Sequence, residues 1–341
     1  MSLPIFLGLG AAIAGAYGIG SGINGAKKMK KANDDMKSTE IRHSINIGKF
    51  ETASKSTNKV MDKLGELELQ ILKEFDDFSD IIEKIQNRPQ FKRYNKDGII
   101  LPKYDKEELR KVSVGAGVLI GALSGSAVGT AGGFAAAGAT TAAVAALGTA
   151  STGTVISSLS GAALTNATLA ALGGGAIAAG GGGIALGTTI LSATTLGVGL
   201  LVGGFIINIT SSKLTNKVGE AKIQMREAEQ NIKKTCSYLT ELENTAIKYI
   251  NSLTNVRKIY LDNLNKISYI VYNLNIVDWN QFTEQEKKTT ENLVLLVGLL
   301  YKMCQVNLVI KAENENDMNS INKKSVDDAI RNSEQIIEYI L

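Results

Sequence analysis

The 341-residue chain carries one histidine, two cysteines, three prolines and one tryptophan, and each scarcity removes a class of chemistry. His43 alone cannot supply a multi-histidine metal site. Cys236 and Cys304 lie far apart with no CxxC spacing, so they are expected as small buried apolar side chains rather than as a redox pair or a disulfide framework. There is no GxxxxGK[ST] phosphate loop, no GxSxG elbow and no HExxH, and a single histidine leaves nucleophilic triads without their usual base. Gly115, Gly117 and Gly121 approximate a dinucleotide fingerprint, but their spacing is too long and no acidic residue follows until Glu220. The sequence therefore predicts no enzyme, no cofactor and no small-molecule substrate.

Proline occurs only at Pro4, Pro89 and Pro102, so long helices can run without the cost of about 3 kcal/mol that proline imposes on a helix interior. Overall charge is ordinary at +4, yet its distribution is not. No Asp, Glu, Lys, Arg or His occurs from Val112 to Ser212, a stretch of 101 residues that holds 23 glycines. Met1 to Ala26 is also uncharged and rich in Gly and Ala.

What is present on either side of the charge-free zone is helical periodicity. Val60, Leu64, Leu67, Ile71, Phe75, Phe78, Ile82 and Ile85 follow one another in steps of three or four, which predicts an amphipathic helix closed by Pro89. Asp62, Lys63, Glu66, Glu68, Lys73, Glu74, Asp76 and Asp77 are read as its solvated faces. A second stripe from Leu214 to Tyr260 predicts one long helix able to pack on the first. Thr283 and Glu286 form a capping-box signature opening a helix that includes Asn292 to Ile310, where Lys302 and Gln305 favour a core helix over a membrane span. Ser325 and Asp328 mark the start of a last short helix.

The expected fold is all-α, with long amphipathic, coiled-coil-like helices flanking a Gly/Ala-rich apolar helical hairpin region. Six segments follow: 1–26, an N-terminal apolar segment; 27–89, amphipathic helix; 90–111, linker; 112–212, the charge-free glycine-zipper region; 213–277, the long helix; and 278–341, a C-terminal helical region.

Small residues recur every fourth position within the charge-free zone, at Gly117, Gly121, Gly125, Gly129 and Gly133, again at Gly175, Gly183 and Gly187 with intervening alanines, and at Gly199 and Gly203. Such spacing aligns absent side chains on one helix face, as in helices that pack in lipid. Repeated glycine weakens a solvated helix by about 1 kcal/mol per residue relative to alanine. Ile184 to Ile209 holds 13 Ile, Leu, Val and Phe residues and is the best candidate span, worth roughly −4 to −8 kcal/mol of insertion before polar penalties. Val112 to Gly133 is marginal by the same measure, which suggests a segment stored against protein and released as a paired unit, with Gly148 to Gly161 as its bend. Lys27, Lys28, Lys30 and Lys31 follow the first apolar segment, placing residues from 27 onward in the cytoplasm if it spans, or lying on anionic lipid headgroups if it does not. Without interleaved aromatics, and with Asp34 and Asp35 following, that cluster does not predict nucleic-acid binding.

The run GTASTGTVISSLSGAALTNATLAALGGGAIAAGGGGIALG from Gly148 to Gly187 resembles a segment of widespread bacterial glycine-zipper-type proteins, and the layout from Leu3 to about Ile250 is similar. That resemblance implies a bacterial, membrane-associated helical protein and transfers no catalytic residue. In layout alone the chain is similar to apolipoprotein L and to helical pore-forming toxins. The expected partners are a lipid bilayer and further copies of the chain. The expected activity is conditional insertion into the inner membrane from a cytoplasmic form, disturbing permeability as a toxin or host-defence effector does. The alternative is a membrane-anchored or soluble helical scaffold in which the charge-free zone is only packing.

Overall fold

The computed structural model describes residues 23–91, 94–96, 98–125, 135, 138–150, 154–159, 163–164, 167–168, 171, 214–310 and 318–341. Among these the architecture is all-α, relieved by two short hairpins. The helices are α1 (Ile23–Lys84), α2 (Lys106–Gly125), α3 (Ala139–Ala145), α4 (Leu214–Ser268), α5 (Glu284–Met303) and α6 (Lys323–Ile340). Strands β1 (Asn95–Lys96) and β2 (Ile99–Ile100) pair antiparallel around Gly98, whose φ of 79° suits the tight reversal, and β3 (Val309–Ile310) pairs with β4 (Ser320–Ile321).

The chain divides into two compact units, Met1–Ser56 with Val198–Thr240, and Thr57–Gly197 with Glu241–Leu341. In the first, Arg42 of α1 reaches Glu229 of α4 at 2.6 Å, and Ile232, Thr235, Tyr238 and Leu239 are buried. Burial pushes the Tyr238 hydroxyl up to about 12.

The second unit holds the larger core. Its part of α1 buries Leu64, Ile71, Leu72, Phe75, Phe78 and Ile82, while its part of α4 buries Leu242, Ala246, Tyr249, Leu253, Val256 and Tyr260. The two stripes meet where the Phe75 and Tyr260 rings pack edge to face at 6.5 Å, with the Tyr260 hydroxyl donating to the Glu74 carbonyl at 3.1 Å and Arg257 Nε to the Glu74 carboxylate at 3.1 Å. Helix α5 adds Leu293, Leu296, Leu300 and Tyr301 to this core. Helix α6 contributes Val326, Ile336 and Ile340, with Ser333 hydrogen-bonded to Ser252 at 2.8 Å.

Helix ends follow local chemistry. Both long helices lead into asparagines in the left-handed region, Asn87 at φ 56° and Asn275 at φ 54°, a conformation that asparagine tolerates better than most residues. Beside them the two segments are tied together, the Gln86 amide donating to the Val277 carbonyl at 2.7 Å and the Gln86 carbonyl accepting from the Trp279 amide at 2.9 Å. Helix α1 thus stops before Pro89. The Thr283 and Glu286 capping box forms as expected. Asn322, three positions before the expected Ser325, caps α6 by accepting from the Ser325 amide. Helix α5 ends at Met303 rather than continuing to Ile310: Asn307 and the β-branched Val309 and Ile310 favour the extended backbone that pairs with β4.

One assignment along the first stripe is overturned. Glu68 is not on a solvated face but wholly buried, whereas Val60 and Leu67 are only partly covered. The buried line runs Met61, Leu64, Glu68, Leu72 and Phe75, again in steps of three and four. A carboxyl occupies a core position that the apolar pattern alone passed over.

Candidate functional site: the seat of the charge-free arm

The described beginning of the charge-free zone lies packed on the larger unit. Asp105 opens α2 by accepting the Glu108 amide at 3.1 Å, and Glu107 and Glu108 occupy the first turn, where carboxylates are favoured by the helix dipole. Tyr301 of α5 donates to the Glu108 carboxylate, so α2 is fastened before its charges run out. Past Lys111, Val112, Ala116 and Leu119 are fully buried, and the Ser113 hydroxyl donates to the Lys73 carbonyl of α1 at 2.7 Å.

Contact between α2 and α3 is made at backbone range. A Cβ on Gly115 would stand within the van der Waals radius of the Ala143 carbonyl, so only glycine permits this approach. Gly138, at φ 83°, precedes α3 and lies where a Cβ would meet Asn307 Oδ1 at 2.6 Å and the Gln305 carbonyl at 3.1 Å. Ala139, Ala142, Ala143 and Ala146 are all fully buried, and the Thr140 amide donates to the Cys304 carbonyl at 3.2 Å. The arm is therefore seated on the C-terminal end of α5. Farther along, the Gly148 carbonyl accepts from the Ile156 amide at 2.9 Å, reversing the chain. Ile156 and Leu164 then form a small apolar cluster with Val118, Leu159 and Ala171.

Beneath the seat lies a second layer. Cys304 is fully buried, with Sγ 3.9 Å from the Glu68 carbonyl. The Tyr249 hydroxyl donates to the Met303 carbonyl at 2.8 Å. Both Glu68 carboxyl oxygens are buried with no hydrogen-bond partner among the described residues. Burial alone holds the Glu68 carboxyl well above its ordinary value, while Tyr249 and Cys304 are raised by burial first and then by Glu68. Burial thus favours the neutral form of all three side chains.

The predicted packing glycines are distributed unevenly over this site. Gly117 and Gly121 lie on α2 with nothing within 4 Å of a Cβ built on either, while Gly115 makes the close contact. Gly125 is the last residue of α2. Gly129, Gly133, Gly175, Gly183, Gly187, Gly199 and Gly203 fall outside the described residues, as does the candidate span Ile184 to Ile209. Lys27, Lys28, Lys30 and Lys31 lie near the start of α1, their side chains outside what is described. Gly115 was legible as a glycine two positions from the four-residue series, and Gly138 as an isolated one, but nothing in the sequence marked their partners. Glu68 carried a signal that was readable: it stands four residues from both Leu64 and Leu72.

No described helix is long and apolar enough to cross a membrane, and no cluster of three or more His, Cys, Asp or Glu that could hold a metal occurs among the described residues. In comparisons with known proteins, the chain matches no family model, no curated protein and no solved structure.

Proposed function

We propose that the chain is a non-enzymatic, membrane-inserting helical protein whose charge-free region, residues 112–212, is held against its helical body and enters a bilayer when released. The observation that carries this reading is the seat itself. The described part of the uncharged Gly/Ala arm lies on a charged helical body through Val112, Leu119, several alanines, the Gly115 contact and the hydrogen bonds of Ser113 and Thr140. Alanine burial contributes little apolar area, at about 25 cal/mol per Å², so such an arm is held by small increments. The candidate span Ile184 to Ile209 supplies a driving force for lipid, and the lysines from Lys27 to Lys31 supply attraction to anionic headgroups. The resemblance of Gly148 to Gly187 to glycine-zipper-type bacterial proteins points the same way. In this reading inserted copies associate through four-residue glycine faces and disturb permeability, as a toxin or host-defence effector acting on the inner membrane from the cytoplasm does.

Dye release from anionic vesicles, with flotation of the same mixtures, tests the proposal. Expected are co-flotation and concentration-dependent leakage; protein that stays at the bottom of the gradient and leaves vesicles intact from pH 5 to 9 overturns it. A second reading is favoured by the complete burial of Val112, Ala116 and Leu119. The arm is then a permanent part of a scaffold that presents α1 and α4 to a partner. Gly121→Leu separates the two, because a zipper-packed assembly loses leakage by it, whereas a scaffold leaves vesicles intact with or without the substitution.

A further inference from the structure

A cavity of about 510 Å³ lies in the larger unit between the segment that follows α1, one face of α5 and the last turn of α6. Its volume falls within the range of about 300–1,000 Å³ typical of small-molecule sites. None of its described walls belongs to residues 112–212. Phe91, Tyr94 and Tyr339 bring three aromatic rings to it from separate stretches of chain, and Pro102 adds rigid apolar surface. The Tyr94 and Tyr339 ring centroids are 6.0 Å apart with their planes inclined at 59°, which makes a corner rather than a stack. Phe91 is oriented by an edge contact with Trp279, the centroids 6.4 Å apart and the planes at 81°.

Among the described lining residues, charge is confined to the α5 wall, where Lys288 and Glu291 stand three residues apart. Both are exposed, and neither side chain is bonded to the other or to another described residue. The adjacent Lys287, by contrast, is tied to Glu284 at 2.9 Å. A neutral apolar guest in this cavity draws two charges from water without giving either a partner, which is costly. A guest of one sign satisfies one of them and repels the other. A guest that carries both signs, an ammonium for Glu291 and an anion for Lys288, satisfies the pair. Cβ atoms three residues apart on a helix are about 5–6 Å from each other, a span comparable to that which a two-carbon bridge places between an ammonium and a phosphate. The aromatic corner refines the choice of cation. Ring faces carry the negative side of a quadrupole and attract an ammonium, most effectively one dressed in methyl groups that also pack as apolar surface.

The geometry points to a binding site for a small zwitterion of the choline phosphate class, with its methylated ammonium against the Tyr94–Tyr339 corner and Glu291 and its phosphate on Lys288. The site does not depend on residues 112–212 entering a bilayer. The same group is carried by a free phosphocholine and by a lipid headgroup, and the two sources are separable by experiment.

Calorimetric titration of the full chain with phosphocholine tests the site, with phosphoethanolamine and inorganic phosphate as companions. Phosphocholine is expected to bind saturably at one site, about tenfold more tightly than phosphoethanolamine, which has the same charges without the methyl groups. Tyr339→Leu keeps apolar bulk at a position that is 54% exposed and removes the ring face, and Glu291→Gln removes the carboxylate at an exposed position. Each is expected to weaken phosphocholine binding about tenfold, or about 1.4 kcal/mol, with circular dichroism unchanged. Tyr339→Phe, which retains the ring, and Lys302→Ala, on α5 but outside this cavity, are expected to bind as the parent does. Absence of saturable binding, equal affinity for phosphocholine and inorganic phosphate, or parental affinity in either Tyr339→Leu or Glu291→Gln overturns the site. Flotation with phosphatidylcholine vesicles then identifies the source. If the Tyr339→Leu protein floats less than the parent, the site takes the group on a lipid; if the two float alike while calorimetry shows binding, it takes the free compound.

Discussion

Gly115 and Gly117 stand two residues apart on α2 in opposite circumstances, one pressed on the Ala143 carbonyl, the other with nothing within 4 Å of its Cβ position. Gly115→Ala forces backbone against backbone and is expected to destabilise the larger unit by about 1–3 kcal/mol, the usual cost of overpacking. Gly117→Ala relieves the entropic penalty of helical glycine and is expected to be neutral or to stabilise by up to about 1 kcal/mol. Urea titrations followed by circular dichroism measure both, and equal effects at the two sites contradict the packing described for α2 and α3. The same contrast marks what could be read at this scale. A four-residue glycine series was visible in the sequence, but which glycine carries a contact depends on α3, a partner the spacing does not specify. Glu68 was misassigned for a related reason: an ionisable side chain implies solvent until the neighbours that bury it are known, although its spacing from Leu64 and Leu72 placed it on the core line.

At the scale of elements, what was legible is what depends on adjacent residues. The part of α1 from Val60 onward and α4 as far as Tyr260 follow from three-and-four periodicity, and the start of α5 from the reciprocal bonds between Thr283 and Glu286 at 2.7 and 3.3 Å. Thr283→Ala removes the acceptor of the Glu286 amide and is expected to cost about 1 kcal/mol. Thr283→Ser is expected to retain most of that stability. Thermal unfolding of the two variants at one pH tests the cap, and equal melting temperatures for both variants and the parent contradict it. The ends were less legible. Helix α1 stops at Lys84 rather than running on toward Pro89 because Gln86 finds backbone partners at Val277 and Trp279, almost two hundred residues away in sequence. Likewise β3 exists only because Val309 and Ile310 find Ser320 and Ile321. A two-residue strand has no period of its own, so no pattern in the sequence announces it.

For the whole molecule, the proposed function turns on the balance between two shelters for residues 112–212, the helical body and a bilayer. The described part of the arm has chosen the body, where its alanines and Gly115 fit closely. The proposal assigns the opposite preference to the candidate span Ile184 to Ile209, whose centre is Leu196. Leu196→Lys replaces a favourable contribution to insertion by a penalty of about 3 kcal/mol, on the order of a hundredfold in the insertion equilibrium. A lysine introduced at Ile41 of α1, which is 60% exposed, adds the same charge at a position outside residues 112–212. Leakage of anionic vesicles is expected to fall by one to two orders of magnitude in the Leu196→Lys protein at equal concentration, with Ile41→Lys indistinguishable from the parent. Both proteins should retain parental helical content in vesicle-free buffer, because the cost of the lysine arises only in hydrocarbon. If Leu196→Lys leaks vesicles as the parent does, this segment does not enter the bilayer; if it unfolds in buffer while Ile41→Lys does not, the segment is sheltered by protein, and the scaffold reading displaces the membrane one.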